Sequence, residues 1–478
     1  MIMDRYEPVN LLARAPELAA DFDAELHVLD QLLEDDGIFA RIKADLARRY
    51  PHSLTRGRPS TPVEVVLRLL LLKRLYSWSY AETVYFVAQS LVLRQFCRLY
   101  HHKVPDRSTL IRWAKLIDPQ TIAQVNDRVV VLAQAHKVTR GRKLRVDSTV
   151  VETTIHYPTD SRILGDGVRV LSRLLRRAKA LLPTATLPPA LFRSRTRSVR
   201  RLTQQLHRVA RRKGESAAEE LKQAYAKLIA IAQASRDQAT AVRVLVQAQG
   251  TLASQRLGAQ FGYYLPLVDQ AITQATRRVL HGEKVPTGEK LLSLFEPQTQ
   301  AIVRHKAGKD VEFGRKLWLD EVDGGIISRY QILPEGGGLD HPHLPASLAG
   351  HQERFGHPPR LVAGDRGVFS VENERVAREL GVKQVVLPQT GRVSQARQAY
   401  ERQRWFRQGF RFRAGIEGRI NAVRRWFELA RCREHGEAGM GRWVGWGIVA
   451  ANLAQIATTL VERAKRATRK QTKQTGSC

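Results

Sequence analysis

Between residues 51 and 140, apolar positions recur at helical spacing behind a series of start signals. Thr61-Pro62-Val63-Glu64 reads as an N-cap, a proline at the first helical position and a capping-box glutamate, and Leu67, Leu70, Leu71 and Leu75 follow on one face. Ser79-Tyr80-Ala81-Glu82 is a second capping box. Asp106 can cap a helix holding Leu110, Ile111 and Trp113, and Asp118-Pro119 opens another that runs to His136. Short helices joined by tight turns predict a helix-turn-helix-like module.

The period then changes. Lys143 to Val151 is β-branched and predicts a strand carrying Asp147, and Pro158 with the turn Gly165-Asp166-Gly167 predicts its end. Helical spacing returns at Leu171, Leu174 and Leu175, at Leu202, Leu206 and Val209, and from Glu219 to Gln249, with Pro183, Pro188 and Pro189 as breaks. Strand character resumes at Lys316–Asp320, turns at Asp323-Gly324-Gly325 and returns over Ile326–Leu333. A strand over Arg360–Asp365, a helix over Val371–Leu380, a strand over Lys383–Leu387 and helices over Ser394–Cys432 and from Gly441 complete the pattern.

This order predicts an α/β chain with a mixed sheet. The expected divisions are an acidic helical segment (1–50), a helical, helix-turn-helix-like domain (51–140), an α/β core (141–165 with 301–432), a basic helical insertion (166–300) and a C-terminal helix and tail (433–478). Trp443 to Val461 has no charged residue and is long enough to span a bilayer, but Asn452, Gln455, Thr458 and Thr459 favour a buried core helix, so no membrane is expected.

Charge sharpens the picture. The 478 residues hold 78 Lys and Arg against 46 Asp and Glu, a net +32, and this calls for a polyanion, by default nucleic acid. A hydrophobic content of 43% excludes wholesale disorder. Cys97, Cys432 and Cys478 form neither a disulfide framework nor a zinc pair and point to a reducing cytosol. Seven acids in the first thirty residues make a poor signal or transit peptide. The surplus charge concentrates in 167–214 (14 bases, no acids), in 402–434 (10 bases, 3 acids) and in the tail from Arg463, which are the expected DNA-facing regions.

In so basic a chain, carboxylates on strands and among arginines stand out. Asp147 lies in the first strand, Asp365 ends a later one, and Glu417 sits on a helix among Arg411, Arg413 and Arg419. Three such oxygen donors suit Mg²⁺ or Mn²⁺. Two ions about 3.5–4 Å apart can hold the attacking and leaving oxygens of a phosphodiester displacement. At roughly 100° per residue, Phe410, Arg413, Glu417 and Arg424 fall within a sector about 60° wide, so one helix face carries an aromatic ring, an acid and two guanidiniums able to grip phosphate.

Leu144-Arg145-Val146-Asp147-Ser148-Thr149, Val362-Ala363-Gly364-Asp365-Arg366-Gly367 and the Phe410/Arg413/Glu417/Arg424 helix resemble the three acidic motifs of bacterial DDE insertion-sequence transposases, whose last motif is Tyr-x2-Arg-x3-Glu-x6-Lys. Gly57-Arg58-Pro59 and Val104-Pro105-Asp106-Arg107-Ser108-Thr109 resemble the helical DNA-binding region of the same elements. The resemblance spans roughly residues 55–460, with little in the insertion. It implies an RNase H-like core, Asp147, Asp365 and Glu417 as metal ligands, and cleavage at element ends followed by transfer of a 3′-hydroxyl to target DNA. It also implies a bacterial cytoplasmic, nucleoid-associated protein acting on terminal inverted repeats as a homodimer in a synaptic complex. Phe410 and Arg424 depart from the family's Tyr and Lys; neither is a metal ligand.

Other readings remain open. One is a catalytically inactive transposase-derived DNA-binding protein or repressor; another is a recombinase with a covalent Ser or Tyr intermediate. Glu152, Asp160 and Asp166 could compete as ligands. His341-Pro342-His343 reads as a solvent-facing loop, and His351-Gln352-Glu353-Arg354 is a weak His-x-x-Arg fragment. Trp405, Trp426, Trp443 and Trp446 read as packing residues rather than base-stacking platforms.

Overall fold

Capping chemistry sets where most of the N-terminal helices begin. The computed structural model describes residues 1–13, 23–49, 52–182, 187–306, 309–334 and 338–475, so the expected break at Pro183 lies outside the described residues. Helices α1 (Ala24–Leu32) and α2 (Asp36–Ala47) start behind Asp23 and Asp35, whose carboxylates accept from backbone N–H groups. Helix α3 (Val63–Leu75) starts one residue later than expected, with Pro62 at its cap and no side-chain cap bond. The reason is Glu64, which is buried against Arg68 instead of reaching back to Thr61. The Ser79–Glu82 capping box does form and opens α4 (Tyr80–Gln89). Helix α5 (Leu91–Phe96) follows; Asp106 caps α6 (Arg107–Leu116) and Asp118 caps α7 (Pro119–Ala135).

Beyond these lie β1 (Lys143–Glu152), α8 (Asp160–Leu181), α9 (Thr196–Val209), α10 (Glu215–Gln247), α11 (Leu252–Ala275), β2 (Gln300–Lys306), β3 (Lys309–Val322) and β4 (Ile326–Ile332). The chain continues with α12 (Leu344–Phe355), β5 (Leu361–Ala363), α13 (Val371–Glu379), β6 (Gln384–Val386), α14 (Gln395–Glu401), α15 (Arg404–Trp426) and α16 (Gly436–Thr475). It is a mixed α/β protein that divides into two compact units. The first comprises Met1–Glu152, Lys316–Pro334 and Gly338–Cys478; the second is built on Thr153–Arg315.

In the first unit β3, β1, β5 and β6 lie side by side in that order, with β4 on β3. The pairs β1–β5 and β5–β6 are parallel and β3–β4 is antiparallel, so the sheet is mixed. Helix α15 packs against this sheet because two glycines let it approach. A Cβ at Gly409 would lie 2.5 Å from Val386, and one at Gly415 would collide with the Arg145 guanidinium. Arg145 occupies that space to pair with buried Glu321 and to donate to the Phe412 carbonyl at 2.6 Å, pinning the helix to β1 and β3.

Helix α16 is long and apolar enough to cross a membrane, but most of its apolar stretch is buried within the protein. Trp443, Val444, Trp446, Ile448, Val449, Leu453 and Ile456 are in the core. Fully buried Asn452 accepts from Ile327 N–H at 2.9 Å and donates to the Ile327 carbonyl at 2.8 Å and to Asn126 Oδ1 at 2.9 Å, bolting α16 to β4 and α7.

The second unit is a helical layer of α8 to α11, with β2 pairing antiparallel to the first half of β3. The turn expected at Gly165-Asp166-Gly167 is absent: α8 runs straight through it. Both glycines serve packing, since Cβ atoms there would meet Val199 at 3.3 Å and Val268 at 3.0 Å. Close helix contact, not chain reversal, explains these residues.

Candidate functional site

The sheet and α15 bring the three candidate acids to one guanidinium. Asp147 projects from the middle of β1. Asp365 lies just past β5, where its Oδ1 accepts from Gly367 and Val368 N–H at 2.9 and 3.1 Å. Glu417 lies on α15, one turn beyond Arg413. The Arg413 Nη2 donates to Asp147 Oδ2 at 2.9 Å and lies 3.8 Å from Asp365 Oδ2, while its Nη1 donates to Glu417 Oε1 at 2.8 Å. Exposure rises across the set, with side-chain values of 13% for Asp147, 36% for Asp365 and 63% for Glu417.

Burial pushes the Asp147 carboxyl up to about 6; Arg413 and the Ser148 N–H oppose this, and Asp365 and Asp340 add to it. Asp340 was not singled out in the sequence, because an acid in a Gly-rich loop carries no local signal. It accepts from Ser148 Oγ at 3.3 Å and pairs with Lys316 at 2.8 Å, making a fourth carboxylate beside Asp147.

The arginines expected to grip phosphate differ in role. Arg413 is spent on the acids. Arg424 donates to Thr149 Oγ1 at 3.0 Å and to the Val150 carbonyl at 2.7 Å, so it ties α15 to β1. Phe410 stays exposed at 42%. As the side chains stand, no three His, Cys, Asp or Glu residues among the described residues are grouped to hold a metal ion. The donor set is nonetheless of the right kind, three carboxylates that already enclose a positive charge. Withdrawal of the Arg413 guanidinium would leave the negative charge of these carboxylates unmatched.

The competing acids are engaged elsewhere. Glu152 pairs with Arg431 at 2.7 Å, Asp160 with Arg278 at 2.8 Å, and Asp166 with Arg169. His351 is buried, bonded to the Gly141 carbonyl at 2.8 Å and stacked on Phe355, while Arg354 pairs with Asp127, so the His-x-x-Arg fragment is structural. His341 and His343 are half-buried rather than solvent-facing. Trp443 and Trp446 are core residues as expected, whereas Trp426 is 65% exposed.

A second feature of the first unit joins the two N-terminal motifs. Arg58-Pro59 and Val104-Pro105-Asp106 line one open cavity of about 850 Å³, with Arg49, Lys103, Arg112 and Trp113. Arg58, Lys103 and Arg112 are exposed, and none is paired with an acid among the described residues. Arg49 lies over the Trp113 ring at 5.5 Å.

Comparison with known proteins bears on this N-terminal region. Residues 17–116 match the family described as Transposase domain (DUF772). A curated relative described as "Uncharacterized protein ORF8 in nfe locus", from Rhizobium meliloti, is 31% identical over 129 residues. That match covers 26% of this chain and 61% of the relative's length. No solved structure matches the chain. The domain match supports a transposase.

Proposed function

We propose that the chain is a DNA transposase of the DDE type, with an RNase H-like core, that cuts at the ends of a mobile element and joins the freed 3′-hydroxyl to target DNA. The observation that carries this reading is the meeting of Asp147, Asp365 and Glu417 on Arg413, from a strand, a strand end and a helix far apart in sequence. The transposase-domain match over residues 17–116 supports it independently. A sheet with the first acid on an inner strand and the second just past its parallel neighbour supports the core assignment.

Asp147, Asp365 and Glu417 would hold Mg²⁺ or Mn²⁺, which supplies the Lewis acidity that activates water and stabilises the leaving oxygen. Asp147 must lose its proton to take part. Arg413 would swing from the acids to a phosphate oxygen, an exchange of one anion for another that its planar fork suits. Arg145 and Glu321 hold α15 in place, and Arg424 fixes its far end on β1. The basic cavity around Arg58, Lys103 and Arg112 would take duplex phosphates, making binding steeply salt-dependent. Pairing of two element ends calls for a homodimer in the synaptic complex.

The test is nicking of a terminal-repeat duplex by Asp147→Ala. Mg²⁺-dependent nicking is expected to vanish while duplex binding, read by gel shift, survives; full nicking by the variant would overturn the metal assignment. The same Arg413 favours a second reading, a catalytically silent DNA-binding protein or repressor whose acids are paired to a guanidinium in place of a metal ion. Absence of metal-dependent nicking in the unaltered protein would select it.

A further inference from the structure

The second unit carries an arginine ridge. On α8, Arg162, Arg169, Arg173, Arg176 and Arg177 are all exposed, at spacings that place them on one face. At 1.5 Å per residue the ridge runs about 22 Å. Asp166, the acid on this face, is matched by Arg169. Beside the ridge lies α11, and between them is an open groove of about 820 Å³, lined by Arg173, Leu174 and Arg177 from α8 and by Gln260, Tyr263 and Tyr264 from α11, with Ala259 at its edge.

Three properties of the groove narrow its ligand. No carboxylate lines it, and the segment 167–214 that supplies one wall has 14 bases and no acids, so an anion is required. Arg177 is held in place by a 2.8 Å hydrogen bond to Gln260 Oε1, and Arg173 has no acidic partner among the described residues. Tyr263 is 52% exposed at this charged surface, its ring set by an edge contact with Tyr264 at 5.0 Å between centroids and 86° between planes. Phosphates alone would need only the arginines. An exposed aromatic ring beside two guanidiniums is the combination that holds an unpaired nucleotide, with the base on the ring and the backbone on the cations.

We propose that the groove between α8 and α11 binds single-stranded DNA, with a base stacked on Tyr263 and adjacent phosphates on Arg173 and Arg177. The proposal deepens the transposase reading and rests on it only in taking DNA as the polyanion. It also gives the insertion a task, holding a strand opened from the duplex.

The experiment uses the full chain with a labelled oligo-dT strand and, separately, a labelled duplex, read by fluorescence anisotropy across a salt series. Tyr263→Ala should weaken oligo-dT binding on the order of tenfold, the loss of one stacked base. It should leave duplex binding unchanged, and Tyr263→Phe should restore the strand. Replacing Arg173 and Arg177 together by Ala should lower the slope of log affinity against log salt by roughly 1.4 for the strand. Unchanged oligo-dT affinity in Tyr263→Ala would overturn the proposal, as would equal losses for strand and duplex, which would mark a duplex backbone site. Tyr263-dependent strand binding in a protein that never nicks DNA would sink the transposase reading and leave the groove standing. Metal-dependent nicking with Tyr263-insensitive strand binding would do the reverse.

Discussion

Arg68 and Arg413 each gather several carboxylates, and they do so in opposite settings. Arg68 is fully buried in α3; it pairs with Asp30 and Glu64 and donates to the Phe96 carbonyl at 2.9 Å. Its network is closed, with each acid buried or nearly so and a backbone acceptor taking up the remaining donor. Arg413 faces acids whose exposure climbs to 63%, and its Nε finds no partner among the described residues. A closed network specifies one arrangement of helices. An open one leaves acids able to change partners, which is what a site that binds a cation and then a phosphate requires.

Breaking the closed network should have the largest effect. Arg68→Met removes the fully buried guanidinium and leaves Asp30 and Glu64 only Arg98 and Arg5 at their outer edge; it should cost about 3–5 kcal/mol of stability, measured by urea unfolding. Next comes a closed site that titrates. Burial depresses the His351 imidazole to about 4 from an ordinary 6.5, so the unfolded chain binds its proton first. Stability is therefore full above pH 6.5 and is lost as pH falls towards 4, by up to about 3 kcal/mol. His351→Phe should remove that component from the pH dependence of the urea midpoint.

Asn452→Leu takes the acceptor from the Ile327 N–H and the donor from Asn126 Oδ1 in the core, while Asn126 still donates to the Ile327 carbonyl; it should cost about 2 kcal/mol, seen as a lower Tm. The open network should respond least and differently. Arg413→Gln should cost about 1 kcal/mol in metal-free buffer, and Mn²⁺ should raise the Tm of this variant more than that of the unaltered protein, because the resident cation is gone. Equal Mn²⁺ shifts would place Arg413 in the closed class.

Much of this division was legible residue by residue. Ser79 with Glu82, Asp106, and Asp118 before Pro119 mark helix starts because capping is local chemistry, and the hairpin at Asp323–Gly325 is local for the same reason. The three acids stood out because carboxylates on strands and among arginines need a reason to be there. What escaped was non-local. Gly165 and Gly167 read as a turn, since glycine in a string shows its freedom and not the neighbour it admits. Glu64 read as a cap, yet its partner Arg68 and the burial of both depend on helices assembling around them. Asp340 gains its place only when its loop meets β1. Arg413 was expected to hold DNA, and its hold on the acids could not be read without the distance between α15 and β1.

Gly415 carries a consequence for how such a sequence drifts. Its missing methyl makes room for the Arg145 guanidinium, and Glu417 lies two residues further along the same helix. A lineage that acquires alanine at this position would move α15 and misplace an acid that the substitution never touched. The compensating change would then arise not on the helix but on β1, at residue 145, as a shorter side chain. Glycine at 415 and arginine at 145 should therefore be gained and lost together, a two-site signature that a genetic suppressor screen can detect without any assay of cleavage.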